Sequence, residues 1–386
     1  MSSKGTKKAM LSSLWKNPCE AIVTIPLVAL YNPGMTFKYL LCLLGAILAV
    51  PLIALIALAF MLPITISGTG YLFASTLVIT GLLLAPWKPK HSPWLMLASV
   101  FALVLIAGAR ILISELNSTP KISMLSMPQE KGTRWLSYVI DEQDSVIFGE
   151  ALFHQIGGSS AIEHENITQA LSKDYSELSQ VQAVVPSPIV GTYLNLQNTT
   201  AFDLIVIEPE VKSHPDTGVI FLHGFMGNVA AQCWEIARAV DRFGALTVCP
   251  STEWQGQWWQ PAGEAILRST FAYLRKQGIQ KIYLGGFSNG GFGISRLVSR
   301  LEDETGLSGL IFIDGISAGA DIRKMGLPVL VVQGRQDERM PAPEARRAAE
   351  IIGDLGTYVE LNSDHFLIMK KPDQVQNVIT TWLEDQ

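Results

Sequence analysis

Three long stretches without a charged residue dominate the first third of the chain, at 39–66, 69–87 and 92–109. A helix needs about 20 apolar residues to cross the hydrocarbon core of a bilayer, and each stretch approaches or exceeds that length. In lipid the backbone must satisfy its own hydrogen bonds, so helix is the expected form. One such run alone would suit a buried core helix of a large soluble domain. Three in succession, with no amphipathic period between them, point to membrane spans. A cleavable leader fits less well, because the apolar stretch starts near Tyr39 and is too long. Composition agrees: 48% of the 386 residues are apolar and 16% are charged, against about 25% charged in a soluble domain.

Basic residues orient the spans. Lys4, Lys7, Lys8, Lys16 and Lys38 precede the first run, and Lys88 and Lys90 separate the second from the third. Positive flanks stay on the cytoplasmic side, which makes 1–38 a cytoplasmic segment and 39–115 a membrane region of three helices. Everything that follows is then extracytoplasmic. Residues 21–30 are apolar but too short to cross and suit the interface. Arg110, near the outer end of the third run, reads as an anchoring charge that snorkels to the interface. The net charge of −5 gives no reason to expect a nucleic-acid partner. Cys19, Cys42, Cys233 and Cys249 show no zinc-like spacing.

The composition turns polar over 116–185, which reads as a linker or cap-like segment with apolar residues at helical spacing over 134–153. From 186 to 386 short β-branched runs alternate with helical patterns. Strands are expected at 189–196, 202–208, 217–223, 245–250, 281–287, 309–314, 328–334 and 357–361. Helices are expected at 229–243, 262–277, 289–301 and 372–383. This alternation predicts an α/β domain whose mostly parallel sheet is covered by helices on both faces.

Within that domain, Gly286-Phe287-Ser288-Asn289-Gly290 forms a G-x-S-x-G motif between an expected strand and an expected helix. Such a setting makes a nucleophile elbow, in which glycines admit a close strand–helix approach and the helix start lends backbone amides to the reacting atom. A serine nucleophile needs a base, and the base needs an orienting carboxylate. Asp337 follows the 328–334 strand, and His365 follows the 357–361 strand. His365 is also the sole histidine after Ser288. Asp314 and Glu338 are rivals for the acid, and Asp364 adjoins the base. Two amides should hold a developing oxyanion: that of Asn289, and one from the loop His223-Gly224-Phe225-Met226-Gly227, with Phe225 ahead of Met226. His223 precedes the elbow and fits a structural hydrogen bond in that loop better than a base.

The segments HGFMG, GFSNG, QGRQD and SDHF, in this order, resemble those of the α/β-hydrolase superfamily over residues 185–386. The resemblance implies Ser–His–Asp catalysis through an acyl-enzyme, with no metal or organic cofactor. It does not specify the substrate, since this fold hosts esterases, lipases, thioesterases, peptidases and acyltransferases.

Two features bear on the substrate. Residues 315–327 leave no room for the lid that many relatives insert there, so the pocket is either open or covered by 116–185 or by the bilayer. The loop after the 245–250 strand carries Trp254, Trp258 and Trp259. They suit either an apolar substrate wall, beside Met226, or packing under the loop and against headgroups. Cys233 and Cys249 would face an oxidising compartment, yet their apolar surroundings favour free buried thiols over a disulfide. Asn117, Asn166 and Asn198 begin N-x-Ser/Thr sequons, which matter only in a eukaryote. Together these readings predict a membrane-anchored ester hydrolase acting on a small-molecule or lipid acyl ester, with the lipid bilayer as its partner. An acyltransferase with the same triad, or a non-catalytic tethered binding module on a hydrolase scaffold, would share most of them. The oligomeric state is left open.

Overall fold

The computed structural model describes residues 33–116, 121–227, 229–317 and 319–386. Lys4, Lys7, Lys8, Lys16, the interfacial stretch 21–30 and Asn117 lie outside them. The chain divides into two compact units: one holds the first two apolar helices and most of the third, and the other comprises 62–68 and 106–386.

The apolar helices are α1 (Pro33–Ala59), α2 (Ile66–Leu84) and α3 (Ser92–Leu116). Three stretches of them, Phe37–Ala59, Ile66–Leu84 and Ser92–Leu116, are long and apolar enough to cross a membrane. The uncharged run 39–66 does not form one helix. Pro63 cannot continue a helix, and Thr65 caps the next one, its Oγ1 accepting from the Gly68 amide at 3.0 Å. Between α2 and α3, Ser99 Oγ donates to the Ala74 carbonyl at 2.7 Å, the kind of short polar link that apolar helices use where no water competes.

The second unit is organised by one nine-stranded sheet. Its strands are β1 (Ile122–Met127), β2 (Lys131–Gly132), β3 (Phe202–Ile207), β4 (Thr217–Leu222), β5 (Leu246–Pro250), β6 (Lys281–Phe287), β7 (Leu307–Ile313), β8 (Val329–Gly334) and β9 (Gly356–Leu361). They lie in the order β2-β1-β3-β5-β4-β6-β7-β8-β9. The last six are parallel, whereas β3 is antiparallel to both β1 and β5. Side chains alternate faces along each strand, and the two cores follow that period. Val219 and Phe221 of β4 join one cluster with Leu330 and Val332 of β8, while Ile220 and Leu222 join the other with Val329 and Val331. Helices α7 (Val229–Phe243) and α11 (Pro372–Glu384) cover the first face. Helices α8 (Pro261–Lys276), α9 (Asn289–Leu297) and α10 (Ala342–Ile352) cover the second. Phe221, fully buried between these layers, should cost about 3–5 kcal/mol on truncation to alanine. The strand order, the antiparallel β3 and the turn from β6 into α9 make this an α/β-hydrolase fold.

Three expectations need correction. The sheet does not begin after 186: residues 116–185 supply β1, which pairs along its whole length with β3. The same stretch supplies α4 (Glu142–Gln155) and α5 (Ala161–Val181), so it is an inserted part of the domain rather than a linker. The β run expected at 189–196 is instead the short helix α6 (Ile189–Tyr193). Ser187 Oγ accepts the Ile189 amide at 3.1 Å and the Thr192 amide reaches the Pro188 carbonyl at 2.8 Å, so local capping outweighs the β-branched composition. Finally, Arg110 does not snorkel. It is buried and ion-paired to Asp141, with Nε donating to the Tyr138 carbonyl at 2.6 Å and Nη1 to Ser67 Oγ at 3.1 Å.

Candidate active site

Ser288 sits at the β6–α9 turn with φ 52° and ψ −119°, a conformation that costs a non-glycine residue about 1–3 kcal/mol. The surroundings enforce it: the Ser288 amide donates to the Ile313 carbonyl at 3.0 Å, and its carbonyl accepts from Phe292 at 2.9 Å. The glycines of the motif allow the approach. A Cβ on Gly286 would lie 2.5 Å from the Gly290 carbonyl carbon, and one on Gly290 would lie 2.1 Å from the Leu222 oxygen. No side chain fits at either position.

His365 and Asp337 come to this turn from the ends of β9 and β8. His365 Nε2 lies 2.9 Å from Ser288 Oγ, and Nδ1 lies 2.8 Å from Asp337 Oδ2. Asp337 is itself held: Oδ1 accepts the amides of Arg339 (2.8 Å) and Met340 (2.9 Å), and Oδ2 accepts Gln333 Nε2 at 3.2 Å. All three residues are buried. Asp364 neither touches the imidazole ring nor replaces Asp337. Its Oδ1 accepts the Phe366 amide at 3.1 Å and its Oδ2 pairs with Lys370, which fixes the loop carrying His365.

Asp314 is the other carboxyl nearby, with ligand atoms of Asp314, Asp337 and His365 all within 4.8 Å of one another. Among the described residues this is the grouping of acids and imidazole closest to a metal-ligand arrangement. Binding an ion there would require His365 to give up its bond to Asp337 or to Ser288. Asp314 Oδ1 accepts the Gly334 amide at 2.7 Å, while Oδ2 is buried without a hydrogen-bond partner. Burial, reinforced by the neighbouring Asp337 charge, pushes the Asp314 carboxyl well above the usual range. Its surroundings therefore favour the neutral form of Asp314.

The loop after β4 lies beside the elbow, because Leu222 is in register with Gly286. Of the amides on this turn, Gly224 donates to Gln232 Oε1 at 3.3 Å and Met226 to the Trp254 carbonyl at 2.9 Å. Phe225 lies on the same turn, and Asn289 opens α9. His223 is a structural residue here. The Thr252 amide donates to its Nε2 at 3.3 Å, so Nδ1 carries the proton and donates to the Gly224 carbonyl at 2.8 Å. Burial pushes this imidazole down to about 4. Glu142 of α4 steadies the helix that follows the loop, accepting the Ala230 and Ala231 amides, each at 3.1 Å, and Tyr175 Oη at 2.9 Å.

A cavity of about 320 Å³ opens beside Ser288. Val146, Phe153, Ile167 and Leu171 of the inserted α4 and α5 form one wall, and Phe225 and Met226 contribute to it. Residues 116–185 thus do what the missing 315–327 lid does not. The tryptophans do not line this cavity. Trp258 is fully buried, its Nε1 donating to the His223 carbonyl at 2.9 Å. Trp254 packs on Phe225 and Trp259 on Phe292, each with ring centroids 5.2 Å apart. Arg339, Met340, Phe366 and Met369 also line the cavity. Sequence reasoning passed over all four, although each lies within four residues of Asp337 or His365.

No family model and no curated protein matches the chain. It is similar in structure to an α/β serine hydrolase described as lacking a lid from Xanthomonas campestris, at 20% identity and a TM-score of 0.42, covering 48% of this chain and 90% of that one. It is also similar to an α/β serine hydrolase homologue from Coxiella burnetii, at 20% identity and a TM-score of 0.38, covering 47% and 91%. A third is Est1E from Butyrivibrio proteoclasticus, at 14% identity and a TM-score of 0.41, covering 48% and 94%. The sheet unit of this chain follows three helices apolar enough to span a bilayer.

Cys233 and Cys249 are joined in a disulfide, which corrects the leaning towards free thiols. Both face the same core cluster, so an apolar setting and a pairing were never exclusive.

Proposed function

We propose that this chain is a membrane-anchored serine hydrolase that cleaves a carboxylic ester of lipid-like or amphipathic character. The observation that carries this reading is the continuous bond path from Ser288 Oγ through His365 to Asp337, at 2.9 and 2.8 Å, on a strained elbow turn. His365 Nε2 takes the Ser288 proton while Nδ1–H stays on Asp337, and Ser288 Oγ attacks the acyl carbonyl. The amides of Phe225 and Asn289 hold the oxyanion. Collapse expels the alcohol, which leaves with the proton from His365. A water molecule, deprotonated by the same imidazole, then releases the acyl group. The mostly apolar cavity wall supports an acyl chain as the bound group.

The three apolar helices support anchoring. The Cys233–Cys249 disulfide supports an oxidising compartment for the catalytic unit, in keeping with the basic residues that flank the spans on the other side. Turnover of p-nitrophenyl esters by the detergent-solubilised chain tests the proposal. Ser288→Ala should lower kcat at least about 10³-fold, and equal turnover by the variant would refute it. Adding an acceptor alcohol to the same assay separates hydrolysis from acyl transfer.

A further inference from the structure

One cation on the cavity wall has no role in the proton path. Arg339 stands two residues after Asp337, and its amide donates to that carboxylate, so the turn that aims Asp337 also sets where the Arg339 side chain departs. The guanidinium lies over the Phe153 ring at 5.4 Å and over the Phe366 ring at 5.3 Å. Both rings line the cavity, which places the charge at its wall. Nη2 donates to the Gly158 carbonyl at 3.0 Å. Two aromatic faces and one carbonyl orient the group, and none of them neutralises it. The one carboxylate on the same wall is occupied: Glu150 Oε1 accepts Ser159 Oγ at 2.9 Å and faces His164 Nδ1 at 3.5 Å.

An oriented guanidinium beside a mostly apolar, acyl-sized cavity is the arrangement that reads a planar or tetrahedral anion. We propose that Arg339 is the specificity-determining residue of this site and that the substrate is an amphipathic ester bearing a carboxylate or phosphate group. This rests on the reading of Ser288 as nucleophile, and it narrows the substrate class from amphipathic to anionic. The anion docks on Arg339 at the rim while the apolar part fills the space between α4, α5 and the loop after β9.

Two measurements on the full-length, detergent-solubilised chain test it. The first is the ratio of kcat/KM for p-nitrophenyl hemiglutarate to that for p-nitrophenyl butyrate. In Arg339→Gln this ratio should fall roughly 10- to 100-fold, with Arg339→Lys between the two. A merely structural role would shift both esters together, so an unmoved ratio overturns the proposal. The second is calorimetric binding of a monoalkyl glutarate and of a monoalkyl phosphate to Ser288→Ala protein with and without Arg339→Gln. Binding of one or both that depends on Arg339 upholds the proposal and tells carboxylate from phosphate; binding of neither, or binding indifferent to Arg339, overturns it. If ester turnover instead persists in Ser288→Ala, the nucleophile assignment fails while the binding result still judges Arg339.

Discussion

Asp337 and Asp314 both lie within reach of His365, and their surroundings differ. Four hydrogen-bond donors converge on Asp337, whereas Asp314 has one buried oxygen with no partner. Burial, with Asp337 alongside, favours the protonated form of Asp314. Asp337→Asn should therefore lower kcat roughly 10³- to 10⁴-fold by presenting the wrong tautomer of His365. Asp314→Asn, which replaces one neutral group by another of the same shape, should stay within about tenfold of the parent. Steady-state kinetics on both variants checks the pair, and a reversed ranking would make Asp314 the acid. At this scale Ser288, Asp337 and His365 were legible because a nucleophile elbow and two loops at strand ends mark them locally. Trp254, Trp258 and Trp259 were left between two readings because a loop's composition does not say which way its side chains turn. Trp258 is drawn under the loop by its bond to the His223 carbonyl.

Among the elements, the inserted α4 and α5 matter most, since they wall the cavity and carry buried acids into the core. Asp174 of α5 has its carboxyl pushed up to about 8 by burial and by the nearby Glu235 and Glu177 charges. Glu235 of α7 is raised to about 6 by burial. A folded-state value above the unfolded one means that the native state holds a proton the unfolded chain releases above about pH 4. Stability is then lost as pH rises from about 4 to about 8, at no more than about 1.4 kcal/mol per pH unit from Asp174. Asp174→Asn should flatten that slope, so its Tm relative to the parent should climb between pH 5 and pH 9. A constant difference across that range would remove this account of α5. The strand β1 escaped sequence reading because Ile122–Met127, with two serines and two methionines, has little β character of its own. Its pairing with β3 makes it a strand, and that partner lies more than seventy residues on. The strands after Thr217 and the helices starting at Val229, Pro261, Asn289 and Pro372 were read nearly residue for residue, since their hydrophobic period is set by two-faced burial in the sheet, whereas the helices Gly319–Lys324, Ala342–Ile352 and Leu367–Lys370 were passed over.

At the scale of the whole molecule, three apolar helices precede the sheet unit, and the proposal places that unit outside the cytoplasm. A C-terminal alkaline phosphatase fusion should be active if the basic flanks orient the spans as argued, and an inactive, stably expressed fusion would place the catalytic unit inside. The disulfide belongs to the same picture. Closing a 16-residue separation stabilises a fold by about 3 kcal/mol, so Cys233→Ser with Cys249→Ser, or reduction of the parent, should lower the unfolding midpoint of the catalytic unit by several degrees. No shift would show that the thiols are free. The three apolar helices were legible from charge-free length alone, whereas the buried Arg110–Asp141 pair was not, because its two halves come from separate segments that only the fold brings together. The most direct test of the central claim is covalent: treat the full-length, detergent-solubilised chain with a fluorophosphonate and map the adduct by mass spectrometry. The account predicts one adduct, on Ser288, absent from Ser288→Ala and strongly slowed in His365→Ala. An unlabelled parent chain, or a label that survives Ser288→Ala, would contradict it.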